Sequence, residues 1–189
     1  MQQQQEKTGL VWFRNNLRVN DNISLKKAID ENQKVIAVYF FDPKYFEKDN
    51  FGFKKTEKFR SQFLIETITD LKQNLENLNI ILLTYFDPPE HKISNLCDNF
   101  SVDTIYTQKE WTRDEIETNN FIKNTLNDNV VFVEDYDQFL YHPDTVSKNF
   151  SNIPDVFTAF RKKLEKYVDI LEEVQISKLY KENLIQNDA

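Results

Sequence analysis

Short runs of apolar residues without polar alternation recur along the first two-thirds of the chain. They are Thr8–Phe13, Lys34–Phe41, Asn79–Phe86, Val102–Tyr106 and Val130–Val133. Such runs fit strands buried on both faces. Asp42-Pro43 closes the second and Asp87-Pro88-Pro89 the third; proline ends a ladder because it has no N–H to donate. Between the runs the apolar spacing changes to three and four residues. Asn22–Glu31 carries Leu25, Ala28 and Ile29 at that spacing, with Asp21 or Asn22 as N-cap. Phe59–Leu78 carries one long stripe of Phe59, Phe63, Leu64, Ile68, Leu71, Leu75 and Leu78. Glu90–Asn99 and Arg113–Leu126 complete the helices, the first with Ile93 and Leu96, the second with a weaker stripe of Ile116, Phe121, Ile122 and Leu126.

Strand and helix thus alternate strictly over residues 8–134. The pattern predicts an α/β fold: a doubly wound, five-stranded parallel sheet in a Rossmann-like three-layer sandwich. Ligands in such sheets bind beyond the carboxyl ends of the strands, where the strand order reverses. That singles out Arg14–Asn22, Asp42–Thr56, Phe86–His91 and Thr107–Arg113. Residues 1–7 read as a frayed polar tail. Residues 135–189 begin with a long connection, Asp135–Ser151, and continue as a helical tail with a stripe of Val156, Phe157, Phe160, Leu164 and Val168. Some 35 residues of this kind do not make a second domain unaided. The tail is expected to pack on the first domain or to lead toward something larger.

Composition narrows the chemistry. The 189 residues are 40% hydrophobic, enough for one core. No run approaches the roughly 18–20 apolar residues of a membrane helix. No secretory signal precedes the first strand, and one cysteine, Cys97, excludes a disulfide framework, so a cytoplasmic setting is expected. Cys97 lies on an apolar helix face and reads as a buried small residue. His91 and His142 are too few for a histidine-built metal centre, so no metal is expected. Two well-separated glycines, Gly9 and Gly52, exclude a glycine-rich phosphate loop. That argues against a nucleotide-binding domain of the universal-stress or electron-transfer-flavoprotein type. A net charge of −7 argues against direct DNA binding by this chain alone. No nucleophile–base arrangement is visible, and no catalytic residue is assigned.

The densest polar cluster is Trp12-Phe13-Arg14-Asn15-Asn16-Leu17-Arg18-Val19-Asn20-Asp21-Asn22, which runs straight out of the first strand. Arg14 and Arg18 either clamp an anion or pin two elements together through carboxylates. This segment closely resembles the WFRxDLRxxDN signature of the photolyase/cryptochrome superfamily. VYFFDPKY at 38–45 is similar to the family's second strand with its Asp-Pro end. FGFKKTEKFRSQFLIETITDLKQNL at 51–75 resembles FxxxKTGxxRxxFLxExxxDLRxxL of the DASH cryptochromes. LYHPDTVSKNFSNIPDVFTAFRKKLE at 140–165 resembles their LYHxxDLPF…PDVFTxFRKxVE. Departures are Asn16 for Asp, Asn20 for His, Lys44 for Arg and Glu57 for Gly.

The resemblance implies an N-terminal α/β domain that in the family precedes a larger helical domain. The helical domain carries FAD, the tryptophan relay and the DNA lesion of a light-driven pyrimidine-dimer lyase. On this resemblance FAD and the photochemistry belong to an absent domain, and this chain alone is expected to be inactive. The ligand within reach is a methenyltetrahydrofolate antenna. Its pterin donors suit a carboxylate, for which Asp42, Glu66 and Glu110 are candidates. Phe40, Phe51 and Lys109 would flank the ring, and Lys55 and Arg60 would meet the folate's glutamate tail. The pocket is expected to open at residues 42–56 and 107–113. Expected partners are the missing helical domain or, in a stand-alone interaction module, a separate helical half or a second copy.

Overall fold

In a computed structural model, which describes residues 6–150, 152–176 and 183, five parallel strands form one sheet in the order β3-β2-β1-β4-β5. They are β1 (Thr8–Phe13), β2 (Lys34–Phe40), β3 (Leu82–Tyr85), β4 (Thr104–Gln108) and β5 (Val131–Asp135). All six residues of β1 are buried, because it lies at the centre with β2 and β4 on either side. Its side chains alternate between two cores. Val11 and Phe13 join Leu25, Ala28 and Ile29 of α1 (Ile23–Glu31) and Ile68, Leu71 and Leu75 of α2 (Lys58–Asn77). Leu10 and Trp12 join Ile93, Leu96 and Cys97 of α3 (Pro89–Phe100) and Ile122 of α4 (Arg113–Thr125). Two helices thus cover each face, and the strand order reverses at β1–β4. The doubly wound expectation holds.

Local rules account for the boundaries. Asn22 Oδ1 accepts the Leu25 N–H at 2.9 Å and caps α1. Gly9 admits no side chain, since a Cβ would sit 2.8 Å from Asn32 Nδ2 and 3.2 Å from the Tyr106 ring. β3 starts at Leu82 rather than Asn79 because the Asn79 and Ile80 N–H groups close the end of α2, on Glu76 and Leu75. β4 starts at Thr104 because the Val102 N–H bonds the Cys97 carbonyl at the end of α3.

Three expectations need correction. The long stripe of α2 is buried only at Ile68, Leu71 and Leu75; Phe59 is 83% and Phe63 69% exposed. The stripe of α4 is weaker still: Ile116 and Phe121 face solvent, and its inward face is polar, with Thr118 and Asn119 buried beside Ile122. The connection after β5 contains a helix, α5 (Pro143–Asn149), started by Pro143 and by His142 Nδ1, which accepts the Asp144 N–H. The C-terminal stripe forms α6 (Phe157–Tyr167), where Leu164 and Val168 pack on Phe150 while Val156 and Phe157 stay exposed.

Both ends touch the sandwich. The Lys7 carbonyl accepts from Gln33 and Lys34 N–H, and residues 1–5 lie outside the described residues. Val174 and Asp21 exchange two hydrogen bonds, Ile176 packs on the α1–α2 core, and Asn183 bonds both main-chain groups of Val35. The rest of the expected tail, residues 177–182 and 184–189, lies outside the described residues. No helix among the described residues is long and apolar enough to cross a membrane.

Candidate functional site

The carboxyl end of the sheet carries two distinct features. The first is a cavity of about 330 Å³ at the ends of β1 and β2, partly closed by α2 and the starts of α3 and α4. Trp12 and Phe40 form aromatic walls, edge to face at 6.4 Å. Asp42, Arg60 and Arg14 also line it. Asp42 is spent locally: one oxygen accepts the Lys44 N–H at 3.0 Å and the other meets Lys44 Nζ at 2.9 Å. Arg14 is partly buried, and its desolvation lowers its pKa against the opposing pull of Glu110 and Glu115. It lies 4.6 Å over the Trp12 ring and donates to Asn119 Oδ1 at 2.9 Å. Arg60 donates to the Lys55 carbonyl. Beside the cavity, Glu90 takes a hydrogen bond from Thr118 on Oε1, while its buried Oε2 has no hydrogen-bond partner among the described residues.

The second feature stands at the switch point itself. Glu110 follows β4, and its Oε1 accepts Asn15 Nδ2 at 2.7 Å and Gln108 Nε2 at 2.9 Å. Asn15 leaves β1 and Gln108 ends β4, so the two central strands jointly orient this carboxyl. Burial raises its pKa, with the Asn15 hydrogen bond and the Arg14 charge opposing. Oε2 takes no hydrogen bond among the described residues. Next to it, Trp111 stacks on Tyr136 at 5.0 Å, and Lys109 Nζ lies 4.7 Å from the Tyr136 ring centre. A hydrogen bond to Tyr136 raises the Lys109 pKa, with burial opposing.

Among the residues expected at a ligand, Phe40, Asp42, Arg60 and Arg14 come together at the cavity. Lys109 and Glu110 do not line it; they make the separate shelf. The expected opening at 42–56 and 107–113 therefore divides: Asp42, Lys44, Tyr45, Phe46 and Thr56 line the cavity, none of 107–113 does, and Glu115 and Thr118 of α4 stand there instead. Phe51 is 84% exposed on a turn and Glu66 is exposed on α2, bonded to Gln62, so neither meets the cavity. Lys55 stands outside it, 5.5 Å from the Tyr45 ring centre and 3.5 Å from Asp114. Arg18 pins two elements together: it bonds the Asp21 carbonyl and pairs with Asp137 at 3.4 Å. Glu90, Thr118 and Asn119 carry no sequence signal beyond polar residues at helix positions; the spatial meeting of α3 and α4 reveals them.

Cys97 is buried, with its thiol pushed up to about 12 by desolvation. His91 pairs with Asp87 in the open. No group of metal-ligating side chains occurs among the described residues.

The family model for DNA photolyase matches residues 9–178. The chain belongs to the DNA photolyase family. Within it, the resemblance to DASH cryptochromes holds. The chain is 37% identical over 161 residues to cryptochrome DASH of Gloeobacter violaceus, covering 85% of this chain and 32% of that protein. It is 35% identical over 161 residues to the blue-light photoreceptor PHR2 of Arabidopsis thaliana, covering 85% and 36%. Among solved structures, the Synechocystis cryptochrome superposes with a TM-score of 0.83 at 32% identity, over 89% of this chain and 35% of that one. An archaeal photolyase from Sulfolobus tokodaii, solved with two FAD molecules, shares the fold with a TM-score of 0.73 at 24% identity, over 88% and 36%. The chain thus spans about a third of the length of these relatives and corresponds to the family's N-terminal domain.

Proposed function

We propose that this chain is the light-harvesting half of a DASH-type cryptochrome or photolyase and seats a methenyltetrahydrofolate antenna at the switch point. The observation that carries the reading is Glu110. It is a buried carboxyl oriented by amides from the turn after β1 and the end of β4, with one oxygen taking no hydrogen bond within the described chain. That geometry suits a ring presenting N–H donors. Trp111 and Tyr136 offer a stacking face, and Lys109, which forms no ion pair among the described residues, would meet the folate's carboxylates. A bound antenna would absorb near-ultraviolet light and pass the excitation to a flavin. The residues here position it and exclude water; FAD and the reaction centre belong to the region of the relatives outside the match. On this reading the chain alone is not a lyase.

The test is a titration of the purified chain with methenyltetrahydrofolate, followed by gel filtration and absorption spectroscopy. A retained near-ultraviolet band at one chromophore per chain is expected, with affinity weakened about tenfold or more in Glu110→Gln. No retained band, or a stoichiometric oxidised-flavin band in the chain alone, overturns the reading.

A second seat is supported by the orphan Glu90 oxygen beside the cavity, which a planar ligand entering between Trp12 and Arg60 would satisfy. The Sulfolobus tokodaii photolyase, solved with two FAD molecules, implies a novel light-harvesting cofactor in that protein. Retention untouched by Glu110→Gln but abolished by Leu64→Trp, which fills the cavity wall, selects this seat over the shelf.

A further inference from the structure

The C-terminal segment is held at both ends of the sheet. At the carboxyl end, Asp21 stands in the turn after β1 with a left-handed φ of 48°. A residue other than glycine keeps that conformation where its surroundings over-determine it. Here the Asp21 N–H donates to the Val174 carbonyl at 3.2 Å, Asp21 Oδ1 accepts the Val174 N–H at 3.1 Å, and the Asp21 carbonyl accepts from Arg18 at 2.6 Å. Ile170, Leu171 and Val174 also wall a small cavity of about 120 Å³ with Tyr136, Asp137 and Phe139. At the amino end, β3 begins at Leu82, opposite Ala37 of β2. The Ala37 N–H turns to that side and bonds the Ile81 carbonyl. Val35, two residues back, turns its main-chain groups the same way, where β3 has not yet begun. Val35 is fully buried, and the Asn183 amide takes the place of the missing strand. Asn183 Oδ1 accepts the Val35 N–H at 2.8 Å, and its Nδ2 donates to the Val35 carbonyl at 2.7 Å and to the Asn79 carbonyl at 3.0 Å.

We infer that this segment is a two-point strap, and that its hold on Val35 keeps in place the turn that carries Asn15 to Glu110. Asn183 follows Val174 by only nine positions. Two contacts on one short tether raise each other's effective concentration, so losing either weakens the other. The carboxyl-end contact bears on both sides of Glu110. Asp21 closes the turn that begins with Asn15, whose amide holds the Glu110 carboxyl. Asp137, which holds Asn16, Arg18 and the Ile23 N–H, lines the same small cavity as Ile170 and Leu171, and its neighbour Tyr136 stacks on Trp111. A strap drawn off Val35 therefore frees the left-handed Asp21 and slackens the turn that aims Asn15. Asn183 lies outside residues 9–178 of the family match, so the match does not supply this anchor. The inference holds whether or not Glu110 takes a ligand.

The experiment follows amide hydrogen exchange and the Asn15 side-chain amide resonance by NMR in the full 189-residue chain. In Asn183→Ala, the Asp21 and Val174 amides are expected to exchange about tenfold faster or more, although both lie at the far end of the sheet. The Asn15 resonance is expected to shift with them, while Val11, at the centre of β1, exchanges as in the parent. Coupling between two sites is reciprocal. Asp21→Gly, which keeps the left-handed turn but removes the carboxylate, should therefore quicken the Val35 amide by a comparable factor. Asn183→Asp keeps an acceptor for the Val35 N–H and should give the same pattern at smaller amplitude, in case Asn183→Ala does not fold. Unchanged Asp21 and Val174 amides in the Asn183 variants overturn the proposal, because the two contacts are then independent. So does an unmoved Asn15 resonance, and so does equal acceleration at Val11 and Asp21, because the segment then adds only to global stability. Folate retention measured on the same samples reports separately on the antenna reading.

Discussion

Two carboxyls at the carboxyl end of this sheet look alike and do different things. Glu110 is buried and Asp137 partly buried, both have a pKa raised by desolvation, and each is held by an asparagine from the turn after β1. Asp137 uses both oxygens: Oδ2 accepts from Asn16, and Oδ1 meets Arg18 and the Ile23 N–H at the start of α1. Glu110 directs one oxygen into the protein and leaves the other unbonded. A buried carboxyl with all its acceptors filled is a structural tie, and one with an unfilled acceptor keeps capacity for a further donor. Burial and pKa shift do not separate the two; the count of satisfied lone pairs does.

The largest effect expected from this contrast is on stability. Asp137→Ala leaves the buried Asn16 amide and the Ile23 N–H without their acceptor and should cost about 2–3 kcal/mol in a denaturant titration. It should leave folate retention as it was. If it weakens retention as much as Glu110→Gln does, the distinction fails. Glu110→Gln keeps an oxygen for Asn15 and Gln108, so its stability at pH 4 should lie within about 0.5 kcal/mol of the parent, with the loss appearing in ligand affinity.

A smaller effect is in the pH dependence. A carboxyl whose pKa is raised by folding gives stability that is complete below its unfolded pKa and is lost as pH rises through the folded value. Both carboxyls should therefore lower stability as pH climbs from about 4 toward 7. Glu110→Gln removes its own share, so its stability relative to the parent should rise across that window. A flat difference would mean that Glu110 keeps its ordinary pKa. The smallest change is expected at Cys97, a third buried ionisable group with no part in either network. Its thiol, held near 12, should resist a disulfide reagent at pH 8 until the chain unfolds.

The architecture was legible because buried parallel strands and amphipathic helices write distinct periods, and all five strands and the four sandwich helices stand close to where those periods put them. What escaped were places where tertiary context overrides the local pattern. The full stripe of α2 reads as core, yet only half of it lies over the sheet. α4 reads as weakly amphipathic because its inward side is a polar network of Thr118, Asn119, Glu90 and Arg14. Asp135–Ser151 reads as loop from its Asp, Pro and Asn content, although His142-Pro143 starts a helix there. At the carboxyl end of the sheet, residue type did not reveal who faces whom. Asp42 and Glu110 look equivalent in sequence; the first is neutralised by Lys44 two residues on, a contact that spacing alone does not reveal. Arg14 and Arg18, equally balanced as anion clamp or tie, part company in space.

The two tryptophans have a practical consequence. Trp12 is 3% exposed in the cavity wall with a guanidinium above its ring, whereas Trp111 is 45% exposed on the shelf, stacked on a phenol. The indoles therefore emit from unlike surroundings, the inner one blue-shifted and shielded from acrylamide, the outer one red-shifted and readily quenched. Each borders one of the two proposed seats, so the colour of the emission that dims on titration tells which of them a ligand fills, with no label attached.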